Sequence, residues 1–147
     1  MGEGLRLIYI DSSCLVKVFR LEPETLEVLK AIQLEPEIIV SALAELEVMV
    51  QLKADYLAGN LTRPAWRQLE ARFSLLSRQA PYEFRALPAT LFRTALRQHR
   101  MAGDFHCRSI DRLHLTAMEE LGLKRLMTHD VRQAKAAVQA GFQVIRP

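Results

Sequence analysis

The chain has 147 residues, half of them hydrophobic and a quarter charged, so it is long enough to bury its own core and unlike a disordered chain. We expect residues 1–147 to form a single domain, because no repeat or linker-like stretch divides them. The net charge of +3 suits a polyanionic partner but does not demonstrate one.

The cysteine and hydropathy patterns exclude several other classes of protein. Cys14 and Cys107 are isolated and neither belongs to a CxxC pair, which argues against a structural zinc site and favours reduced packing residues. No uninterrupted apolar stretch approaches the roughly 18 residues of a membrane span, and the N-terminal residues do not resemble a signal peptide. We therefore expect a soluble, cytoplasmic protein with no membrane partner.

The first half of the chain alternates between short apolar runs and helical patterns. An apolar run leads into Asp11, and Ser12 or Ser13 directly after it could cap a helix. Ser41 is expected to be the N-cap of a longer helix that stops at Gly59. We predict strands over residues 5–10 and 38–40, and helices over residues 12–20, 24–34 and 41–58.

The second half continues this alternation. Trp66, Leu69, Phe73 and Leu76 fall at spacings of three and four, which is typical of one face of a helix. We predict helices over residues 62–79, 89–101, 109–121 and 131–140, and strands over residues 82–87, 125–128 and 143–145. Strands and helices that alternate with short connections predict a three-layer α/β/α domain with a mostly parallel central sheet.

Acidic residues fall near the ends of the predicted strands, where open parallel sheets bind their ligands. Asp11 directly follows the first strand, and Asp130 follows the strand at residues 125–128. Glu47 lies two turns into the helix after the second strand, and Asp111 lies in the first turn of a later helix. Four carboxylates from four elements could therefore converge.

Two of these acids also have structural explanations to be weighed. Asp130 alone is more typical of a helix cap, and Asp111 could equally be a charge that complements a helix dipole. Asp11 is harder to explain in this way, because an unpaired carboxylate at the end of an apolar strand is costly.

Glu47 and Glu45 compete for the remaining acidic position. Their helix is apolar nearly all round, which predicts that it is mostly buried and that a carboxylate within it needs a partner. Both glutamates have apolar helical neighbours, so periodicity alone does not choose between them.

Four segments, in order along the chain, resemble the motifs of PIN-domain proteins. In that family an aspartate ends the first strand. A serine follows the second strand, and an acidic residue lies six positions after that serine. Later in the chain, an aspartate precedes a Leu-His-Leu helix, and a Thr-x-Asp motif follows another strand. The matching segments are residues 9–17 (YIDSSCLVK), 41–47 (SALAELE), 109–117 (SIDRLHLTA) and 126–130 (LMTHD). The resemblance covers essentially the whole chain, and its spacing from Ser41 selects Glu47 over Glu45.

The resemblance implies a PIN fold and a ribonuclease that depends on Mg²⁺ or Mn²⁺. Members this short are dominated by VapC toxins of bacterial and archaeal toxin–antitoxin pairs, which implies an RNA substrate, a cognate antitoxin and a homodimer. In such toxins, helices in the region of residues 62–79 form the homodimer contact and the antitoxin groove, so exposed apolar surface there is a candidate partner site. Two features depart from the pattern: Glu45 adds an acid, and residues 104–107 are idiosyncratic.

This chemistry assigns a role to each acid. A phosphodiester is negatively charged, so its hydrolysis needs local positive charge and an activated water, which Mg²⁺ or Mn²⁺ held by carboxylates supplies. We expect Asp11 and Asp111 to be the principal ligands. Glu47 and Asp130 would complete the shell through waters or bind a second ion, and the sequence does not choose between one ion and two.

Several neighbouring polar residues could support the acids. Ser13 and Thr128 could hydrogen-bond a carboxylate or a bound water, although each could equally be a cap or turn hydroxyl. His114 lies one turn after Asp111 and His129 abuts Asp130, but histidines in such places more often pack or hydrogen-bond structurally.

A basic stretch flanks the third acid. Its arginines are either a solvated helix face or contacts to the RNA backbone. They are Arg93, Arg97, Arg100, Arg108 and Arg112, of which the last four are the candidate RNA-binding residues.

Other phosphotransfer folds are poorly supported. A haloacid-dehalogenase-type phosphatase would carry a second aspartate where Ser13 stands, and no GxxxxGK or GxGxxG motif is present. The main alternative is a PIN-fold protein that no longer cleaves and serves as an RNA- or protein-binding module. The presence of all four acids favours the enzyme.

Overall fold

The structure, a computed structural model, describes residues 6–147, so Leu5, which the sequence predicts to begin the first strand, lies outside the described residues. The strands are β1 (Leu7–Ile10), β2 (Glu37–Ser41), β3 (Tyr82–Arg85), β4 (Arg125–Met127) and β5 (Gln143–Ile145). The helices are α1 (Ser12–Leu15), α2 (Thr25–Gln33), α3 (Ala42–Leu57), α4 (Arg63–Leu75), α5 (Leu91–Met101), α6 (Ser109–Glu120) and α7 (Val131–Gln139).

These strands form one sheet in the order β3-β2-β1-β4-β5, and all four neighbouring pairs are parallel. On one side of β1, Ile8 lies opposite Ile38 of β2, and on the other side Ile10 lies opposite Met127 of β4. The chain adds β2 and β3 on one side of β1 before it returns to add β4 and β5 on the other. This confirms the parallel sheet that the sequence predicts.

Both faces of the central strand are buried. Ile8 and Ile10 belong to a first core, which the sheet forms with α1 to α4, whereas Leu7 and Tyr9 belong to a second core, which it forms with α5 to α7. Side chains alternate along a strand, so a strand covered on both faces reads as a continuous apolar run. The predicted three-layer α/β/α architecture is therefore confirmed.

Two helices are shorter than predicted. The helix expected over residues 12–20 passes into a 3₁₀ turn at Val16–Val18, where two β-branched valines and then Phe19 lower helix propensity. The helix expected over residues 62–79 likewise ends in a 3₁₀ turn at Leu76–Arg78. The other described bounds agree with the predictions to within two residues.

The prediction that α3 is mostly buried is wrong. Its buried residues form a single stripe, Ala44, Val48 and Leu52, while the side chains of Leu46 and Val50 are 60% and 58% exposed. The reason is that α3 packs on β2, α1 and α4 along one side, so the residues of its other side have no layer against them.

The apolar stripe of α4 and of the turn after it lies in the first core. Trp66, Phe73 and Leu76 are buried and Leu69 is packed against them, so these residues do not form a partner surface. In the described part of the chain, no helix is both long and apolar enough to cross a membrane.

The two faces of α3 predict opposite responses to truncation. Leu52→Ala should lower the free energy of unfolding by about 2–5 kcal/mol, because it leaves a cavity in the first core. Leu46→Ala on the same helix should change it by less than about 0.5 kcal/mol. Urea denaturation of both variants measures this difference, and equal losses would contradict the burial described above.

Candidate active site

The sheet order brings two strand ends together at one edge. β1 and β4 are neighbours, and the backbone N–H of Asp11 donates to the carbonyl oxygen of Met127 at 3.2 Å. The order of strand addition reverses between these two strands, which is the place where open α/β sheets form their ligand crevice. Asp11 and the segment from Thr128 to Asp130 therefore face the same crevice.

Asp11 is buried and held by four donors. One carboxylate oxygen accepts the Ser13 hydroxyl (2.6 Å) and the backbone N–H groups of Ser13 (3.1 Å) and Cys14 (3.3 Å). The other accepts the Thr128 hydroxyl. Asp11 is thus the N-cap of α1, and the expectation that Ser12 or Ser13 caps this helix is wrong, because the strand-end carboxylate reaches both free N–H groups first.

Burial raises the pKa of Asp11 above its ordinary value, and the hydrogen bonds from Ser13 and Thr128 oppose that rise. Desolvation therefore outweighs the four donors, so ionised Asp11 is held in the folded chain at a cost in stability. The contacts of Ser13 and Thr128 support the role that the sequence predicts for them.

Asp111 and Asp130 share one cation of the same chain. The Arg108 guanidinium donates to both oxygens of Asp111 (2.9 and 3.1 Å) and to one oxygen of Asp130 (3.1 Å). Hydrogen bonds and charge from these carboxylates, chiefly Asp111, raise the pKa of Arg108. The side chain of Asp111 is buried, whereas that of Asp130 is about one-third exposed.

Asp130 also caps a helix, as its structural explanation requires. Its second oxygen accepts the backbone N–H groups of Arg132 (2.8 Å) and Gln133 (3.1 Å) at the start of α7. The oxygen that faces Arg108 is not the capping one. Asp130 can therefore cap α7 and belong to the candidate site at the same time.

Glu47 is held by a chain of hydrogen bonds that the sequence did not reveal. The Tyr9 hydroxyl bonds Ser41 Oγ (2.7 Å) and His114 Nδ1 (2.5 Å), and His114 Nε2 bonds the Glu47 carboxylate. A neutral imidazole that accepts from Tyr9 at Nδ1 and donates to Glu47 from Nε2 satisfies every contact. Glu45 is exposed to solvent.

Three of the four acids are linked through shared partners, and Glu47 belongs to the separate chain of hydrogen bonds described above. Thr128 Oγ1 donates to Asp11 and accepts the backbone N–H of Asp130 (3.0 Å), which joins two of them. Within residues 6–147, no three His, Cys, Asp or Glu side chains are close enough to hold one metal ion. The metal roles of the four acids, and the choice between one ion and two, therefore stay predictions.

The donors nevertheless fit Mg²⁺ or Mn²⁺. All four are carboxylates, which these hard cations prefer, and Mg²⁺ commonly binds through one or two carboxylates while it keeps several waters. Asp111 and Asp130 already converge on one cationic group, the guanidinium of Arg108. Both oxygens of Asp111 accept one hydrogen bond each from Arg108, so a metal ion bound through Asp111 would share that carboxylate with the guanidinium or displace it.

The candidate RNA-binding arginines have different surroundings. Arg100 is exposed, Arg97 is exposed and paired with Glu119, and Arg108 pairs with the acids. The expectation that Arg112 contacts an RNA backbone disagrees with the structure. Only 7% of that residue is exposed, because it packs between α5 and α6 against Gln98.

Sequence reasoning missed Tyr9 and Lys17. Tyr9 is the one hydroxyl-bearing side chain of an otherwise aliphatic strand, a signal that could have marked it. Lys17 Nζ donates to Nδ1 of His129 at 2.8 Å, so His129 is engaged by a residue one turn after Ser13. No pattern in the sequence pointed to that contact.

Comparisons with known proteins identify the family of this chain. The family model of the PIN domain matches residues 8–139. Ribonuclease VapC46 of Mycobacterium tuberculosis is 33% identical over 145 residues, which cover 95% of this chain and 97% of that protein. The chain therefore belongs to the PIN-domain family.

Solved structures share the fold at low identity. The VapC20 toxin of Mycobacterium tuberculosis, described as cleaving the sarcin–ricin loop, superposes with a TM-score of 0.71 at 14% identity, over 95% of this chain and 99% of that one. VapBC2 of Rickettsia felis, bound to a promoter DNA fragment, superposes with a TM-score of 0.65 at 10% identity, over 95% and 97% of the two chains.

The buried carboxylate predicts that Asp11→Asn stabilises the metal-free protein. The pKa of Asp11 is higher in the folded chain than in the unfolded chain. The free energy of unfolding therefore falls as the pH rises from the unfolded-state pKa to the folded-state pKa, and the full loss is present at any pH above the folded-state pKa. In EDTA at neutral pH we expect Asn to raise the melting temperature by roughly 2–4 °C, the shift that about 1 kcal/mol produces in a chain of this size.

The control is Asp104→Asn, which changes an exposed aspartate in a loop. It should leave the melting temperature unchanged, and the gain of Asp11→Asn should vanish at acid pH, where Asp11 is protonated in both states. Thermal melts across pH measure both effects. A lower melting temperature for Asp11→Asn at neutral pH would show that its hydrogen bonds outweigh desolvation.

Proposed function

We propose that the protein is a Mg²⁺- or Mn²⁺-dependent endoribonuclease, and that it is the toxin of a VapBC-type toxin–antitoxin pair acting in the cytoplasm. The observation that carries the proposal is the crevice between β1 and β4, where Asp11, Asp111 and Asp130 are linked by hydrogen bonds through Thr128 and Arg108. Identity of 33% to a ribonuclease along almost the whole chain supports the same activity.

Asp11 and Asp111 are the proposed principal metal ligands, and Glu47 and Asp130 the supporting acids. A bound divalent cation supplies charge neutralisation at the phosphodiester and favours an ionised water. The chain's own contribution begins with Ser13 and Thr128, whose hydroxyls fix the orientation of the Asp11 carboxylate.

Glu47 and Arg108 supply the remaining chemistry of the chain. His114 donates to Glu47 and keeps its carboxylate in one orientation, with a second oxygen available to accept a proton from an attacking water. Arg108, once it releases an oxygen of Asp111, is a planar donor that can pair with the phosphate oxygens of the RNA.

The proposed partners are an RNA substrate, a cognate antitoxin and a second copy of the chain. Structural neighbours that are VapBC complexes support the antitoxin. The predicted partner site is the exposed apolar surface in the region of α4, where Leu75 is half exposed while the stripe of Trp66 and Phe73 is buried. Exposed apolar side chains of other helices are further candidates for contacts with protein partners. They are Leu46, Val50 and Leu57 on α3, and Phe92, Leu96 and Met101 on α5.

Activity should depend on the divalent metal and on Asp11. The purified chain should cleave single-stranded RNA with Mg²⁺ or Mn²⁺ and lose cleavage in EDTA, and Asp11→Asn should reduce cleavage by more than about 10²-fold while keeping its fold by circular dichroism. Asp104→Asn is the control and should cleave normally. RNA that is bound but never cleaved under these conditions would instead favour the non-catalytic binding module.

The chain of hydrogen bonds to Glu47 predicts an effect of Tyr9→Phe. Loss of the hydroxyl frees His114 to rotate, so we expect kcat to fall with little change in KM. The expected fall is roughly 10-fold, at the lower end of the losses in activity seen when a group that orients a metal-site residue is removed. Tyr56→Phe, on the aromatic that stacks on Trp66, is the matched control and should be neutral. Steady-state cleavage of a fluorogenic RNA measures both, and equal activity of the two variants would contradict this role.

A further inference from the structure

The segment at residues 104–107 departs from the family pattern, and its residues 105–107 form one wall of a cavity beside the candidate active site. The cavity has a volume of about 350 Å³, which is within the range of small-ligand pockets. We call it the Phe105 pocket. It is lined by Phe105 and the two residues after it, by Arg108 and Asp111, and by Arg132 and Lys135.

The Phe105 pocket adjoins the acids directly. Arg108 and Asp111 line it, and the same two residues pair with each other in the site, where Arg108 also contacts Asp130. A strand whose phosphate meets the acids can therefore place its neighbouring unit in the pocket.

One wall of the pocket is apolar and held in place. Phe105 and Cys107 are partly buried and pack against the second core, so the protein interior sets the position of the aromatic ring. A fixed aromatic face suits a nucleobase, because stacking is favourable for every base.

The rim of the pocket carries positive charge that is not neutralised. Arg132 and Lys135 lie one turn apart on α7, both are exposed, and neither has a carboxylate within ion-pair distance among residues 6–147. Arg108, in contrast, is already paired with Asp111 and Asp130. Two unpaired cations beside one aromatic side chain are complementary to a single-stranded nucleic acid, in which each nucleotide carries one phosphate and one planar base.

We propose that the Phe105 pocket binds one nucleobase of the RNA strand next to the phosphate that pairs with Arg108, with Arg132 and Lys135 on the adjoining phosphates. The proposal rests on the proposed function for the identity of the polymer as RNA. It assigns residues 105–107 to substrate binding, a role that the four acids do not account for.

The test is RNA binding without cleavage. A short, fluorescein-labelled single-stranded RNA of mixed sequence is titrated in EDTA and followed by fluorescence anisotropy, with its integrity checked on a gel. Phe105→Leu keeps apolar bulk against the core and removes the aromatic face. It should weaken binding by roughly 5- to 100-fold, whereas Phe105→Tyr should bind like the unmodified protein.

The cationic rim has a different signature. Lys135→Gln should reduce the slope of log affinity against log salt by about 0.7, the value of one phosphate contact on a single strand, while Phe105→Leu should leave the slope unchanged. The matched control is Lys53→Gln, which changes an exposed lysine on α3 and should bind RNA with unchanged affinity and salt dependence.

The outcomes separate this proposal from the proposed function. If the unmodified chain does not cleave RNA with Mg²⁺ or Mn²⁺ but Phe105→Leu still weakens binding, the nuclease assignment fails and the pocket stands. If the chain cleaves RNA while Phe105→Leu binds as tightly as the unmodified protein, the pocket assignment is overturned. Loss of binding in both Phe105→Leu and Phe105→Tyr, with lowered melting temperatures, would also overturn it in favour of a packing role.

Discussion

Parallel hydrogen bonding between β1 and β4 brings the backbone N–H of Asp11 to the carbonyl oxygen of Met127, between strands that lie at opposite ends of the sequence. From that contact the rest of the site follows, because it sets the Thr128 hydroxyl against Asp11 and carries Asp130 to the same edge. The sheet order reverses at these two strands, so the helices that follow them diverge and leave the crevice open. The fold thus creates the site through one strand pairing.

Every acid in this crevice is matched by groups of the same chain. Hydroxyl and backbone donors hold Asp11, Arg108 neutralises Asp111 and Asp130, and His114 donates to Glu47. These contacts give each of the four carboxylates a polar partner in the folded protein, although burial still raises the pKa of Asp11. Binding and catalytic sites commonly lower the free energy of unfolding in this way, because groups that are needed for function are held in the folded protein at a cost in stability.

The positively charged groups divide by their surroundings rather than by sequence position. Arg112 adjoins Asp111 in sequence but packs into the interior against Gln98, while Arg132 and Lys135 stand exposed around the pocket beside Asp111. Arg108 lies between these two cases, since its guanidinium faces the acids from an exposed position. An RNA strand entering this edge would meet cations from α7 and from the segment before α6.

The sequence by itself determined the α/β class, most element bounds and the placement of Asp11 near a strand end, because these depend on local patterns of apolar residues and caps. It did not reveal that α3 is half exposed, that Tyr9 and His114 hold Glu47, or that Arg112 is buried. Only the tertiary structure decided these points, since burial and hydrogen-bond partners depend on which distant elements pack together. The choice of Glu47 over Glu45 illustrates this difference between sequence and tertiary structure. Helical periodicity left the choice open, and the family resemblance favoured Glu47. The contact of Glu47 with His114, a residue of a distant helix, supports that choice.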